Sequence, residues 1–125
     1  MNNVVDSSAW LEYFADTKFS KHFADVIQDV EHLIIPTICL YEVYKIVTFQ
    51  SDEESARTVI AHMQLGNVVD LDQTIAIQAA EASRTYKLPM ADSIILATGL
   101  SCDATVWTMD IDFKGIQNVR YIAKK

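Results

Sequence analysis

Val4-Val5-Asp6-Ser7-Ser8-Ala9-Trp10 stands near the start of the chain and decides how the rest is read. Two β-branched residues favour a short buried strand. An acid follows directly at its end. Ser7 and Ser8 then offer an N-cap, and Ala9 to Phe14 continues as a short helix. The same order recurs downstream. Leu33-Ile34-Ile35 reads as a strand ended by Pro36, with Thr37 capping a helix that runs to about Gln50. Val68-Val69 precedes Asp72, the cap of a helix carrying Ile75, Ala76, Ala79, Ala82, Ser83 and Tyr86. Thr105 to Thr108 forms a fourth strand. A turn through Asp110, Asp112 and Gly115 leads to a last strand over Val119 to Ile122. Strands alternating with helices indicate an α/β domain with a mainly parallel sheet. Right-handed crossovers place helices on both faces.

The intervening segments fit this plan. Phe19, Phe23, Val26, Ile27 and Val30 recur at helical spacing. Ser51 caps a further helix with Asp52, Glu53 and Glu54 in its first turn, where the helix dipole favours negative charge. Its apolar stripe is Ala56, Val59, Ile60 and Met63, and Gly66 reads as its stop. Pro89 breaks the chain before a sixth helix from about Met90, which carries Asp92, Ile95, Leu96 and Gly99.

A length of 125 residues suits one domain, residues 1–125. Half of the residues are hydrophobic and 22% charged, and three Gly and two Pro leave no flexible linker. No apolar run reaches the ~18 residues of a membrane span. The first residues have neither the basic region nor the apolar core of a signal peptide, so a cytoplasmic location is expected. Cys39 and Cys102 are far apart, among apolar neighbours, and read as buried free thiols. His22, His32 and His62 are scattered, which argues against a zinc site or a Ser-His-Asp triad. The net charge of −7 counts against high-affinity nonspecific nucleic-acid binding. It leaves open a metal-assisted enzyme acting on a folded or selected nucleic acid.

Four acids carry the chemistry. Ligand sites in open α/β sheets form beyond the carboxyl ends of the strands. Asp6 follows strand one, Asp110 follows strand four by two residues, and Asp92 lies at the start of a helix. Glu42 sits about one and a half turns into the helix after strand two. Carboxylates brought together raise one another's pKa, and a divalent cation relieves that cost. Mg²⁺ takes carboxylate oxygens, waters and a phosphate, and the chemistry it then supports is phosphodiester hydrolysis.

Each acid has a plainer reading too. Asp6 and Asp92 suit helix caps, while Asp110 and Asp112 suit a turn. Glu42 is harder to dismiss, because Ile38 and Ile46 share its helix face and a carboxylate there needs a partner. Lys45, three residues on, offers one as an ion pair. Trp10, Tyr13 and Tyr44 are candidates to stack on RNA bases, or else core aromatics. Lys45, Lys87 and Lys114 are candidate phosphate contacts, or else solvated charge.

Taken together, Val-Val-Asp6-Ser-Ser8-Ala-Trp, Ile-Pro-Thr-Ile-Cys-Leu-Tyr-Glu42-Val, Leu-Pro-Met-Ala-Asp92-Ser-Ile-Ile-Leu-Ala and Trp-Thr108-Met-Asp110-Ile-Asp112-Phe resemble the PIN-domain family. More narrowly, they resemble VapC-type toxins of toxin–antitoxin pairs. All four motifs occur in the family's order and span essentially the whole chain. The resemblance implies a three-layer α/β/α fold and a Mg²⁺- or Mn²⁺-dependent endoribonuclease. It also implies a homodimer held in check by a VapB-type antitoxin. By position, Asp6, Glu42, Asp92 and Asp110 form the metal site, with Glu42 also orienting water or serving as general base. Ser8 and Thr108 match small polar positions that support the acids, and Asp112 matches a less constant acid. Gly99 stands where many relatives carry alanine, which reads as a minor packing change.

Two other classes compete. One is a non-catalytic PIN-fold binding module. The other is a phosphoacceptor signalling domain, which normally has adjacent acids after strand one; here Ser7-Ser8 follow Asp6. The helices over Phe19–Val30 and Ile38–Phe49 are the expected partner surfaces.

Overall fold

In the computed structural model, which describes residues 1–124, five parallel strands form one sheet in the order β3-β2-β1-β4-β5. The strands are β1 (Asn2–Val5), β2 (Leu33–Pro36), β3 (Asn67–Val69), β4 (Ala104–Thr108) and β5 (Val119–Tyr121). The helices are α1 (Ser7–Phe14), α2 (Lys21–Gln28), α3 (Thr37–Gln50), α4 (Glu53–Met63), α5 (Gln73–Tyr86) and α6 (Met90–Ser101). Parallel neighbours need crossovers, and the helices that make them cover both faces, giving the three-layer α/β/α arrangement expected. β1 is central, with Val4 opposite Ile34 of β2 and Val106 of β4. Its end therefore faces the most connections, and Asp6 leaves the sheet there.

The core explains the sequence of α6. Seven consecutive residues, Ser93 to Gly99, are buried, because this helix is packed by β1, β2, β4, α3 and α5. A helix enclosed on all sides is apolar all round. Its two buried hydroxyls bond back to the helix itself, Ser93 to the Met90 carbonyl (2.7 Å) and Thr98 to that of Ile94 (2.8 Å). Gly99 is more than a small packing choice. A Cβ there would stand 2.8 Å from Val106 Cγ2, so glycine lets α6 approach β4.

Several boundaries differ from the sequence reading. Asp6 itself caps α1, accepting from the Ser8 N–H, so Ser7 and Ser8 are the first helical residues. Asp52, not Ser51, caps α4 through the Ser55 N–H (2.7 Å). Thr37 begins α3 rather than capping it, since Pro36 is the residue before the helix. Gly66 lies beyond the α4 cap at Gln64. It is small because a Cβ would meet the Leu33 carbonyl at 3.0 Å. The helix expected from Phe19 starts at Lys21 and ends at Gln28, and its Phe23, Val26 and Ile27 point into the core rather than toward a partner. Cys39 is buried as expected, whereas Cys102 is half-buried at the end of α6.

Candidate active site

Asp6 is the fixed point of the site. It is 3% exposed, and both of its oxygens are hydrogen-bonded. Oδ1 accepts from the Ser8 N–H at 3.1 Å, and Oδ2 from Ser8 Oγ at 2.9 Å. Thr108 Oγ1, fully buried at the end of β4, also donates to Oδ2. The same two hydroxyls accept from the next strand's exit: Thr108 Oγ1 from the Asp110 N–H (2.9 Å), Ser8 Oγ from the Met109 N–H (3.4 Å). Ser8 and Thr108 thus tie the end of β1 to the end of β4. Asp110 in turn accepts from the Asp112 N–H at 2.9 Å, which closes the turn over Ile111–Phe113.

Asp92 enters from the first turn of α6, three residues after Pro89, so it is helical rather than a cap. Carboxylate oxygens of Asp92, Asp110 and Asp112 lie within 4.8 Å of one another. Asp112 is therefore closer to the centre of the cluster than a loosely placed turn residue would be, although it is exposed. Glu42, half-buried on α3, has no ion pair with Lys45. Instead Ser7 Oγ donates to its Oε1 at 2.7 Å, and Lys45 lies over the Tyr41 ring. Nothing local to either residue announces the Ser7 contact, because it depends on how α3 lies against α1.

The electrostatics follow from this crowding. Burial raises the Asp6 carboxyl above its ordinary range, partly offset by its bonds from Thr108 and Ser8, and Asp110 raises it further. Asp92 is pushed up to about 8, first by burial and then by the charges of Asp110, Asp6 and, more weakly, Glu42. The buried Cys39 thiol lies close enough to feel Asp6 and Glu42. It is held well above its usual range, chiefly by burial, which makes it unreactive. Repulsion from Asp110, Asp6 and Glu42 contributes to the rise at Asp92, as expected of acids placed near one another.

Such a cluster suits a hard divalent cation. Every donor is a carboxylate oxygen, the ligand type of Mg²⁺ and Mn²⁺, and the raised Asp92 carboxyl marks negative charge left uncompensated by any protein cation. Trp10, by contrast, is fully buried. Its indole N–H has no partner among the described residues, so it is unavailable to stack on a base. Tyr13 packs against Trp10 and Phe14, while Tyr44 stays exposed.

A parallel α/β sheet with carboxylates gathered at one end defines a class of α/β domains with an acidic site suited to a divalent cation. The chain belongs to the PIN domain family, whose pattern matches residues 4–119. Its fold resembles a toxin–antitoxin complex from Klebsiella pneumoniae, with 23% identity, a TM-score of 0.80, 97% of this chain and 100% of that chain covered. It also resembles VapBC2 from Rickettsia felis bound to a promoter DNA fragment (15% identity, TM-score 0.75, 98% of each chain). A third similar structure is Mycobacterium tuberculosis VapC20, a Sarcin-Ricin loop cleaving toxin (14% identity, TM-score 0.76, 93% of this chain and 95% of that one). No curated protein matches the sequence. No described helix is long and apolar enough to cross a membrane.

Proposed function

We propose that this protein is a Mg²⁺-dependent endoribonuclease and the toxin of a VapBC-type pair. One observation carries the reading: carboxylate oxygens of Asp92, Asp110 and Asp112 lie within 4.8 Å of one another, close to the buried Asp6, with no cation paired to them among the described residues. Asp6, Asp92 and Asp110 are the residues that would hold Mg²⁺, or Mn²⁺, with Asp112 at the cluster's exposed rim. When bound, the cation lowers the pKa of water and neutralises charge on the phosphate. Ser8 and Thr108 donate to Asp6, which favours its ionised form against burial and fixes its direction. Ser7 fixes one oxygen of Glu42 and leaves Oε2 to take a proton from the attacking water. Attack by water leaves 5′-phosphate and 3′-hydroxyl ends.

The partner assignment draws on the surface of α3, which buries only Cys39 and Val43 and leaves Tyr41, Tyr44 and Phe49 exposed. Apolar area of that kind fits a VapB-type antitoxin or the second subunit of a homodimer. The absence of a spanning helix accords with action in the cytoplasm.

The test is cleavage of total RNA by the purified protein in Mg²⁺, with chelator in parallel, repeated with Asp6→Ala and Asp92→Asn. Cleavage that needs metal and disappears in both variants is the expected result. Cyclic phosphate ends would overturn the water-attack chemistry. An intact RNA pool in every metal would favour a non-catalytic binding module.

A further inference from the structure

The last thirteen residues, Phe113 to Lys125, carry four cations and no acid, whereas the first 112 carry six cations and all seventeen acids. The basic tail begins immediately after Asp112, at the exit of the acidic cluster. Its strand, β5, is an edge strand paired only with β4. Thr108, which bonds Asp6, lies opposite Tyr121, and Trp107 lies opposite Arg120, so β5 runs one strand spacing (~4.8 Å) from the site.

Two cations on this edge are held on aromatic rings. The Arg120 guanidinium lies 5.5 Å from the Trp107 ring centre, and the Lys114 ammonium 5.9 Å from that of Tyr121. Trp107 is fixed in turn, its Nε1–H donating to Asn3 Oδ1 at 2.9 Å. Neither cation has a carboxylate partner among the described residues, while Arg57 is paired with Glu53 and Lys124 with Glu12. Arg120 therefore presents a donor fork that stacking has already ordered, the form in which Arg binds phosphate. Tyr121 shares the face of Thr108, and Trp107 the opposite one. The two pairs thus lie on opposite faces of the sheet edge, as two separate cationic contacts rather than one cradle for a small anion.

We propose that Lys114 and Arg120, seated on Tyr121 and Trp107, form the phosphate-contacting track along which a single RNA strand reaches the acidic cluster. This rests on the nuclease reading above. It resolves the conflict between a chain of net charge −7 and a polyanionic substrate, because the repulsion is local to the first 112 residues and the track lies outside it.

The experiment measures binding of a labelled single-stranded RNA of about 20 nucleotides to the intact protein in chelator, across roughly 50–200 mM KCl. Each lost phosphate contact reduces the salt slope by about 0.7 and weakens binding about five-fold at 0.1 M salt. The Lys114→Gln/Arg120→Gln pair is expected to bind about 25-fold more weakly, with a slope smaller by about 1.4. Arg120→Lys should recover most of the slope. Arg57→Gln/Arg84→Gln makes the same charge change elsewhere and should alter neither quantity. Equal losses in both pairs would reduce the effect to net charge and overturn the track. So would an unchanged slope in the Lys114/Arg120 pair, which would leave these cations as guards of an open sheet edge or contacts for a protein partner. In Mg²⁺, wild-type cleavage of total RNA with no such slope change refutes the track alone. A slope change with no cleavage refutes the nuclease and keeps the RNA surface.

Discussion

Replacing Asp92 with Asn should stabilise the metal-free protein while removing its response to Mg²⁺. The folded carboxyl is raised from 3.8 to about 8 by burial and by Asp110, Asp6 and Glu42. Between those values the folded state binds more protons than the unfolded one, so stability falls as pH rises through the window. The penalty is absent below pH 4 and complete above pH 8. A shift of this size in a sealed interior would be worth more than 5 kcal/mol at ~1.36 kcal/mol per unit. Asp92 is only half-buried, so water screens much of it, and roughly 1–2 kcal/mol is the discounted cost at pH 8.5. Asn keeps the shape and removes the charge.

At pH 8.5 in chelator the variant should melt roughly 3–10 °C above wild type, given about 3–5 °C per kcal/mol for a chain of this size. At pH 5 the gap should nearly close, because wild-type Asp92 is then protonated as well. Adding Mg²⁺ at about ten times its Kd stabilises wild type by roughly 1.4 kcal/mol, and the variant by little. Calorimetry at two pH values, with and without Mg²⁺, reads all four quantities. A variant that melts below wild type in chelator at pH 8.5, or that gains as much from Mg²⁺, would refute the account of Asp92 as a charge held for a cation.

Further outcomes follow from single contacts. Gly99→Ala should cost about 1–3 kcal/mol, because its Cβ meets Val106 Cγ2 at 2.8 Å in a fully packed interior; an unchanged denaturant midpoint would contradict it. Thr108→Val strips a bond that lowers the Asp6 carboxyl and leaves the Asp110 N–H without its acceptor, costing roughly 1–3 kcal/mol. It also raises Asp6 further, so the acid limb of the Mg²⁺-dependent cleavage profile should move to higher pH, with Thr108→Ser restoring it. Lys87 ends α5 at φ 59°. Lys87→Gly should stabilise by roughly 0.5–1 kcal/mol, the left-handed strain of ~1–2 kcal/mol less the entropy glycine adds to the unfolded chain, read as a higher thermal midpoint.

Much of the fold was legible because each strand ends on a local signal. Val4-Val5 runs into Asp6, Leu33-Ile34-Ile35 into Pro36, and Val68-Val69 toward Asp72, whose side chain caps α5 through the Ile75 N–H at 2.9 Å. The Pro89 break and the apolar run after it also located α6, since a helix buried on every side need not alternate. Two of the misread caps share one cause. Where several side chains near a helix start can all accept an N–H, as at Asp6-Ser7-Ser8 and Ser51-Asp52, composition cannot choose among them. The choice depends on where the preceding strand or turn releases the chain.

The site divides along the same line. The acids announced themselves because charge beside apolar strand ends needs a reason. Their supports were less open: the family resemblance pointed to Ser8 and Thr108, but nothing pointed to Ser7, because Ser7 reaches Glu42 across thirty-five positions and Thr108 reaches Asp6 across one hundred and two. The edge track was hidden for a third reason. Total charge averages over the chain and conceals that the acids and the final cations occupy different regions. A metal centre needs negative charge concentrated where the cation sits, and a polyanion needs positive charge where its backbone runs. Both demands are met within one protein only if the two charges are kept apart. Here the turn over Ile111–Phe113 marks the change along the chain, with Asp110 before it, Asp112 within it and Lys114 directly after it.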